Sequence, residues 1–355
     1  MAALHAGIPD TTSLNTVNRQ CSSGLTSVNQ IANQIRAGEI DIGIGAGVES
    51  MTMGYGPSSM PSSFSPEVLT DRSAEDCLLP MGLTSEAVSS TFSISRDSQD
   101  AFAARSFQKA SAAQKAGKFS AEILPVKVTV LSKSKNGEEE EREVLVDSDD
   151  GIREGVTKES LAKLKPAFTK DGTTHAGNAS QVSDGAAAVL LARRDVAERL
   201  GLPVRGKFVF AATVGVPPKI MGVGPAYAIP KVLQKTGLSL TDIDFFEINE
   251  AFASQAVYCV EKLGIPYDKV NFGSGRRALY LPYYSCFIFP FFFPFFSSLI
   301  FTFSPSSLTT PLCIAGTRQI ATGLNIAKQY GARVFVTSMC IGSGMGMAAV
   351  FVSEE

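Results

Sequence analysis

Six cysteines stand in this chain of 355 residues, at positions 21, 77, 259, 286, 313 and 340. No two form a C-x-x-C pair, which at this length argues against a disulfide scaffold or a zinc site. Cys21 falls where a loop enters a helical pattern, between Asn18-Arg19-Gln20 and Ser22-Ser23-Gly24. Unpaired backbone N–H groups and the positive end of a helix dipole there would favour a thiolate. The small residues after it would let a substrate approach. On this motif alone, an inert thiol before a helix is the commoner outcome. Cys340 precedes the glycine-rich stretch Gly342-Ser343-Gly344 and alone reads as readily as a packed core thiol. Asn249-Glu250-Ala251-Phe252 reads as the opening of a helix, with Asn249 a possible cap. The chain has two histidines, His5 and His175. The first reads as a surface residue, the second as structural or surface.

The elements around these residues are helices and strands in alternation. Leu25, Val28, Ile31, Ala32 and Ile35 recur at helical spacing up to Gly38, and 41–50 follows as a short buried strand with close-packed glycines. Residues 52–70 read as loop and 81–117 as mainly helical. Residues 122–130 and 142–147 form a hairpin around Lys135-Asn136-Gly137. A strand over 186–191 leads to a helix ending near 200. The second half repeats the grammar: a strand at Phe245–Ile248, a helix at Gly316–Tyr330, a strand at Arg333–Ser338, a glycine-rich turn, and a strand at Met347–Val352. The recurrence of helix, strand and glycine-rich turn near 40 and near 335 is a weak internal duplication and supports an α/β architecture in two related halves.

Composition narrows the function class. The net charge is −2 and no lysine/arginine run forms a basic patch, so no nucleic-acid partner is expected. Cysteines without pairing fit a reducing compartment. The start shows no signal peptide. It reads as the tail of a helix ending at Gly7, as though upstream sequence were missing. From Ala278 to Thr317 there is no charged residue, and nine of the 23 phenylalanines lie between 287 and 303. Pro290 and Pro294 weigh against a transmembrane helix, and the lack of any period weighs against a core segment. No stable membrane insertion is expected. The preferred reading is translated non-coding sequence, from an unspliced intron or a gene-model error. Sequencing the mature transcript across codons 270–318 tests it.

Together, four motifs in order resemble the thiolase family: Asn18-Arg19-Gln20-Cys21-Ser22-Ser23-Gly24 followed by Gly47-Val48-Glu49-Ser50-Met51; His175-Ala176-Gly177-Asn178 running to Ala186; Asn249-Glu250-Ala251-Phe252-Ala253; and Ser338-Met339-Cys340-Ile341-Gly342-Ser343-Gly344. The resemblance covers 1–272 and 315–355. It is nearest to the peroxisomal 3-ketoacyl-CoA thiolases, through Leu164–Phe168 and Met221–Pro230. It implies a thiolase-like α/β fold, two βαβαβαββ halves in α-β-α-β-α layers. The halves would be 1–193, carrying a loop domain near 52–172, and 194–355, carrying the uncharged insert near 275–314. It also implies fatty-acid β-oxidation in the peroxisome, acyl-CoA and CoA as substrates, no cofactor beyond CoA as co-substrate, and a homodimer. Cys21 would attack the 3-keto carbonyl, Cys340 would protonate the departing acetyl-CoA carbanion, and CoA would then take the acyl group from Cys21. Backbone N–H groups of Cys21 and Gly342 would form one oxyanion hole, and Asn249 would hold a water in a second. Ketoacyl synthases share the superfold but pair Cys with two His, or with His and Asn, and lack the Cys340 box. A non-catalytic acyl-CoA-binding product is the other alternative.

The pattern breaks in one place. The family's Gly-Gly-Ala-x-Ala-x-Gly-His-Pro motif, whose His takes the nucleophile's proton, should follow Val270-Asn271. Phe272-Gly273-Ser274-Gly275-Arg276-Arg277 stands there instead, and no His follows. Losing a general base costs roughly 10²–10⁴-fold, so negligible thiolase activity is expected.

Overall fold

The computed structural model describes residues 1–54, 63–133, 139–272 and 315–355. After a short α1 (Ala2–His5), α2 (Ser23–Ala37) runs to Gly38, whose φ of 76° ends it in the left-handed conformation. β1 (Ile42–Glu49) follows, then α3 (Met51–Gly54), α4 (Arg72–Asp76), α5 (Met81–Thr91) and α6 (Arg96–Lys115). β2 (Val126–Lys133) and β3 (Glu139–Val146) pair antiparallel as the expected hairpin, whose turn lies outside the described residues. α7 (Lys158–Ala162), β4 (Gly185–Ala192) and α8 (Arg194–Arg199) complete the first half. The second half contains β5 (Gly206–Gly215), α9 (Gly224–Thr236), β6 (Phe245–Ile248), α10 (Ala253–Leu263), α11 (Ala315–Tyr330), β7 (Val334–Ile341) and β8 (Met345–Ser353).

The second sheet has the order β5-β8-β7-β6, antiparallel except for the parallel pair β6–β7. Its two faces alternate residue by residue. Phe245, Phe335 and Phe351 stack on one face at 5.1 and 5.3 Å and pack with Leu25 and Val28 of α2 and Ile320 and Leu324 of α11. Phe246, Ile248, Val336 and Val350 face the other way, against Ile229 and Val232 of α9 and Val260 of α10. α2 and α11 therefore lie between this sheet and the β1–β4 pair. They meet at backbone contact: a Cβ on Gly316 would sit 2.3 Å from Leu25 Cβ and 2.5 Å from Leu25 N. That crossing sets the depth of α2, and with it the depth of Cys21.

β1 differs from the buried strand expected. Its glycines do pack closely, since a Cβ on Gly45 would lie 2.7 Å from Val28 Cα. Its other face is open, with Ile42, Ile44 and Val48 at 41–58% exposure. The glycine face alone meets α2, and nothing among the described residues covers the branched one. β5 and α9 had no sequence expectation. Pro225 and Pro230 disguise α9: the first sits in the opening turn, where its missing N–H costs nothing, and the second is inside the helix. Among the described residues no helix is long and apolar enough to cross a membrane. The Phe-rich insert lies outside those residues.

Candidate active site

Cys21 is 2% exposed, within the single turn Gln20–Ser22 that leads straight into α2. Local polar contacts cinch this turn. Gln20, at a left-handed φ of 48°, donates its N–H to Asn18 Oδ1 at 2.9 Å. Ser23 Oγ accepts the Arg19 N–H at 2.9 Å and donates to the Gln20 carbonyl at 2.8 Å. Arg19 then ties the turn to Thr26 of α2 at 3.2 Å and Thr213 of β5 at 3.4 Å.

The electrostatics of the sulfur depart from expectation. Burial raises the thiol pKa, and the backbone N–H groups of Gly342 and of Cys21 itself lower it. The charge of Glu49 raises it again, leaving the group at about 11. One of these N–H groups, that of Cys21, belongs to the helix entry, and the other comes from the β7–β8 turn. The removal of water outweighs them, so the resting sulfur is a thiol rather than the favoured thiolate.

The second cysteine arrives from the C-terminal sheet. Cys340 is fully buried on β7, opposite Gly346 of β8. Burial holds its thiol well above the ordinary range, and the neighbouring Cys21 and Cys259 raise it further. The β7–β8 turn presents Gly342, then Ser343 at φ 54° and Gly344 at φ 90°. A Cβ on Gly342 would fall 2.4 Å from Gln20 Oε1, so with Gln20 in this rotamer the turn lies against the Cys21 loop without room for a side chain. Cys77 leans on the same turn, its Sγ 3.8 Å from the Ser343 carbonyl. Cys340 packs with Ala179, Met221, Ala251 and Phe252, with Met81 and Phe168 against them. Phe168 lies flat over Gly82, where a Cβ would be 2.1 Å from the ring. The region between the two strands of the first sheet thus reaches the cysteines.

Asn249 is not a helix cap. α10 begins four residues later, with Phe252 as its N-cap, and Phe252 bridges Ala179 in an antiparallel pair. Ile248 stands opposite Ser338 in the parallel β6–β7 pair. The Asn249 N–H donates to the Ser338 carbonyl at 2.8 Å, two residues before Cys340. The Asn249 carbonyl accepts from Gln255 Nε2 at 3.2 Å. Its side chain is 2% exposed and its Nδ2 has no hydrogen-bond partner among the described residues. A buried unpaired donor costs about 1–3 kcal/mol, which a water or a ligand oxygen on this amide would offset.

Neither histidine is placed to take a proton from Cys21. His5 is exposed on α1. His175 is fully buried; its Nε2 meets Asp100 Oδ1 at 2.7 Å and its Nδ1 accepts the Gly177 N–H at 3.0 Å. The ring is therefore the Nε2–H tautomer with both nitrogens engaged. Burial disfavours the Asp100 carboxylate, but hydrogen bonds from His175 and Arg96 outweigh it and hold its pKa below the ordinary range. The stretch where the family's motif would stand is outside the described residues. Sequence reasoning missed Gln20, whose amide shields the turn, and Asn271, buried at 1% beside β6. Only the unusual left-handed φ of each marks them, and a single sequence does not show φ.

Comparisons with known proteins identify the family and the fold. The thiolase N-terminal domain matches residues 1–195 and the thiolase C-terminal domain residues 202–283. The peroxisomal 3-ketoacyl-CoA thiolase of Yarrowia lipolytica is 54% identical over 99% of this chain and 77% of its own length. The human peroxisomal 3-ketoacyl-CoA thiolase is 51% identical over 99% and 75%. The crystal structure of the dimeric peroxisomal thiolase of Saccharomyces cerevisiae superposes with a TM-score of 0.81 at 50% identity, covering 99% of this chain and 79% of that one. A second Saccharomyces cerevisiae peroxisomal 3-ketoacyl-CoA thiolase structure, five-layered and built from two core domains of identical topology, gives a TM-score of 0.70 at 43% identity, covering 99% and 77%. This chain belongs to the thiolase family and has its two-part α/β fold.

Proposed function

We propose that this chain carries the thiolytic machinery for 3-ketoacyl-CoA in peroxisomal fatty-acid β-oxidation, works as a homodimer, and turns over slowly for want of a base. The observation that carries the reading is the meeting of Cys21, Cys340 and the Gly342 N–H. The Cys21 thiol gives its proton to water and its sulfur bonds to the 3-keto carbon, placing the charge on oxygen; the carbonyl then re-forms as the C2–C3 bond breaks. The electron pair leaves on the acetyl-CoA carbanion, which takes the proton of Cys340. The CoA thiol gives its proton to the Cys340 thiolate and its sulfur bonds to the acyl carbon, releasing Cys21. The N–H groups of Cys21 and Gly342 stabilise one oxyanion. A water on Asn249 Nδ2 stabilises the other. CoA is a co-substrate, and no further cofactor enters.

The first step requires Cys21 to lose its proton. At a pKa of about 11, only about one thiol in 10⁴ is ionised at pH 7. No imidazole is free to change that, because both histidines are accounted for. Purified protein given acetoacetyl-CoA and a longer 3-ketoacyl-CoA tests the reading, with turnover and the mass of Cys21 followed together. Acyl-Cys21 with slow release of acetyl-CoA is expected. Turnover at an ordinary enzymatic rate would overturn the slow step. Acyl-CoA binding without acylation of Cys21 would make the chain a binding protein.

A further inference from the structure

Asn271 lies at the start of the stretch where the family's histidine motif breaks off. β6 is hydrogen-bonded to β7 along one edge. Its other edge is closed by the chain at 269–271. The Phe246 N–H donates to the Lys269 carbonyl at 2.8 Å, and the Asn271 N–H to the Phe246 carbonyl at 2.7 Å. Beyond that point the Asn271 side chain takes over the ladder. Its Oδ1 accepts the Ile248 N–H at 2.8 Å and its Nδ2 donates to the Ile248 carbonyl at 3.0 Å. A primary amide here imitates the peptide of a further strand residue. The second Nδ2 hydrogen goes to Glu250 Oε1. Glu250 Oε2 in turn accepts from Ser106 Oγ of α6 at 2.5 Å. Lys109, one turn along α6, holds the carbonyls of Tyr267 at 3.3 Å and Val270 at 3.0 Å.

One side chain therefore grips both neighbours of Asn249, Ile248 through its backbone and Glu250 through its carboxylate. Asn249 itself is tied by its N–H to Ser338 and by its carbonyl to Gln255, which leaves its Nδ2 without a partner among the described residues. Asn271 has a φ of 48°, a conformation asparagine tolerates better than most residues. Closing an edge needs neither a left-handed asparagine nor the bond to Glu250.

We propose that Asn271 is a positioning residue, which fixes the backbone on both sides of Asn249 and so aims the free Asn249 amide at the thioester oxygen. The target oxygen rests on the function proposed above; the positioning itself does not. Asn271→Gly accepts the left-handed φ and deletes the amide. Asn271→Asp keeps the acceptor for Ile248 but sets a carboxylate against Glu250. Crystal structures of wild type and Asn271→Gly give the first readout. The Asn249 amide should move by about 1 Å or more, while Cys21 and Cys340 stay in place. A shift of that size costs about 10²-fold in rate. Thiolysis gives the second readout: kcat should fall by roughly 10- to 100-fold with KM for CoA within about twofold. The Asn249→Ala, Asn271→Gly double variant should be no slower than Asn249→Ala alone. An unmoved Asn249 amide in the folded variant, or additive losses, overturns the proposal. So does failure of both Asn271 variants to fold, which makes the residue structural only. A wild type that never acylates Cys21 sinks the functional reading instead, and the crystallographic comparison still decides the positioning.

Discussion

The backbone N–H of Gly342, from the other half, faces the sulfur of Cys21 and lowers its pKa, yet burial still leaves that thiol at about 11.

The pH dependence of Cys21 follows from that balance. The thiolate is the reactive form, so its alkylation by iodoacetamide should rise about tenfold per pH unit from 7 to 10 and level only near 11. Below the ordinary thiol pKa of 9.0 the buried neutral sulfur contributes its full share of stability. That share, roughly 3 kcal/mol for a shift of two units, is lost as pH climbs from 9.0 to about 11, because the unfolded chain ionises first. Peptide mass spectrometry across the pH series reads the alkylation, and urea midpoints read the stability. A hyper-reactive Cys21 at pH 7 contradicts this.

Gly342→Ala should lower Cys21 acylation by about 10²-fold, the cost of one displaced oxyanion donor. The new Cβ would meet Gln20 Oε1 at 2.4 Å, and the end of a flexible side chain can swing away, so the fold should survive. Removing the obstacle should restore the donor. Gln20→Gly suits the φ of 48° at that position, and Gln20 Oε1 has no partner to lose among the described residues. The double variant is expected to regain most of the lost rate in a single-turnover acylation assay. Equal rates for the single and double variants would mean Gly342 acts by another route.

His175→Thr separates structure from catalysis. Asp100 would lose its buried donor while keeping Arg96 at 2.8 Å and Asn178 at 3.0 Å. A hydrogen bond to a charged group is worth about 1.5–3 kcal/mol, and chemical denaturation should show a loss in that range. The pH profile of Cys21 alkylation should not move, because neither ring nitrogen is free. A changed profile would make His175 part of the proton path.

What the sequence disclosed tracks what one chain segment can say about itself. The helix of Leu25 and Ile35 and the hairpin carry local periodicity; the helix stands where it was read, and the hairpin read at 122–130 and 142–147 forms with strands at 126–133 and 139–146. β5 and α9 were not legible, one for its irregular pattern with a bulge between Phe208 and Phe210, the other for its two prolines. Asn249 looked like a cap because Asn before a helix usually is one. Only the Ala179–Phe252 bridge and the Ser338 carbonyl, supplied by distant segments, move the helix start past it. The helix entry of Cys21 suggests a pull toward thiolate, although an inert thiol is the commoner outcome on that motif alone; the raised pKa comes from burial where α11 closes over α2, which no window around residue 21 contains.

If the missing base is what slows this chain, supplying one should repair it. Replacing residues 273–314 with a short segment carrying Gly-Gly-Ala-x-Ala-x-Gly-His-Pro would join Phe272 to Ala315, whose ends are already anchored. Phe272 packs on Tyr330 at 4.5 Å, and Ala315 opens α11 fully buried. An imidazole that takes the Cys21 proton removes most of the penalty set by a pKa of about 11, so kcat/KM should rise by at least about 10²-fold. Its pH profile should change shape as well. The unmodified chain climbs steadily with pH, following thiolate. The repaired chain should show an ascending limb near the imidazole range, about 6.5, and a plateau above it. The same segment with alanine in place of its histidine controls for the deletion. Equal activity of the two segments would show that the base is not the missing part, and that the slow step lies elsewhere than the proton of Cys21.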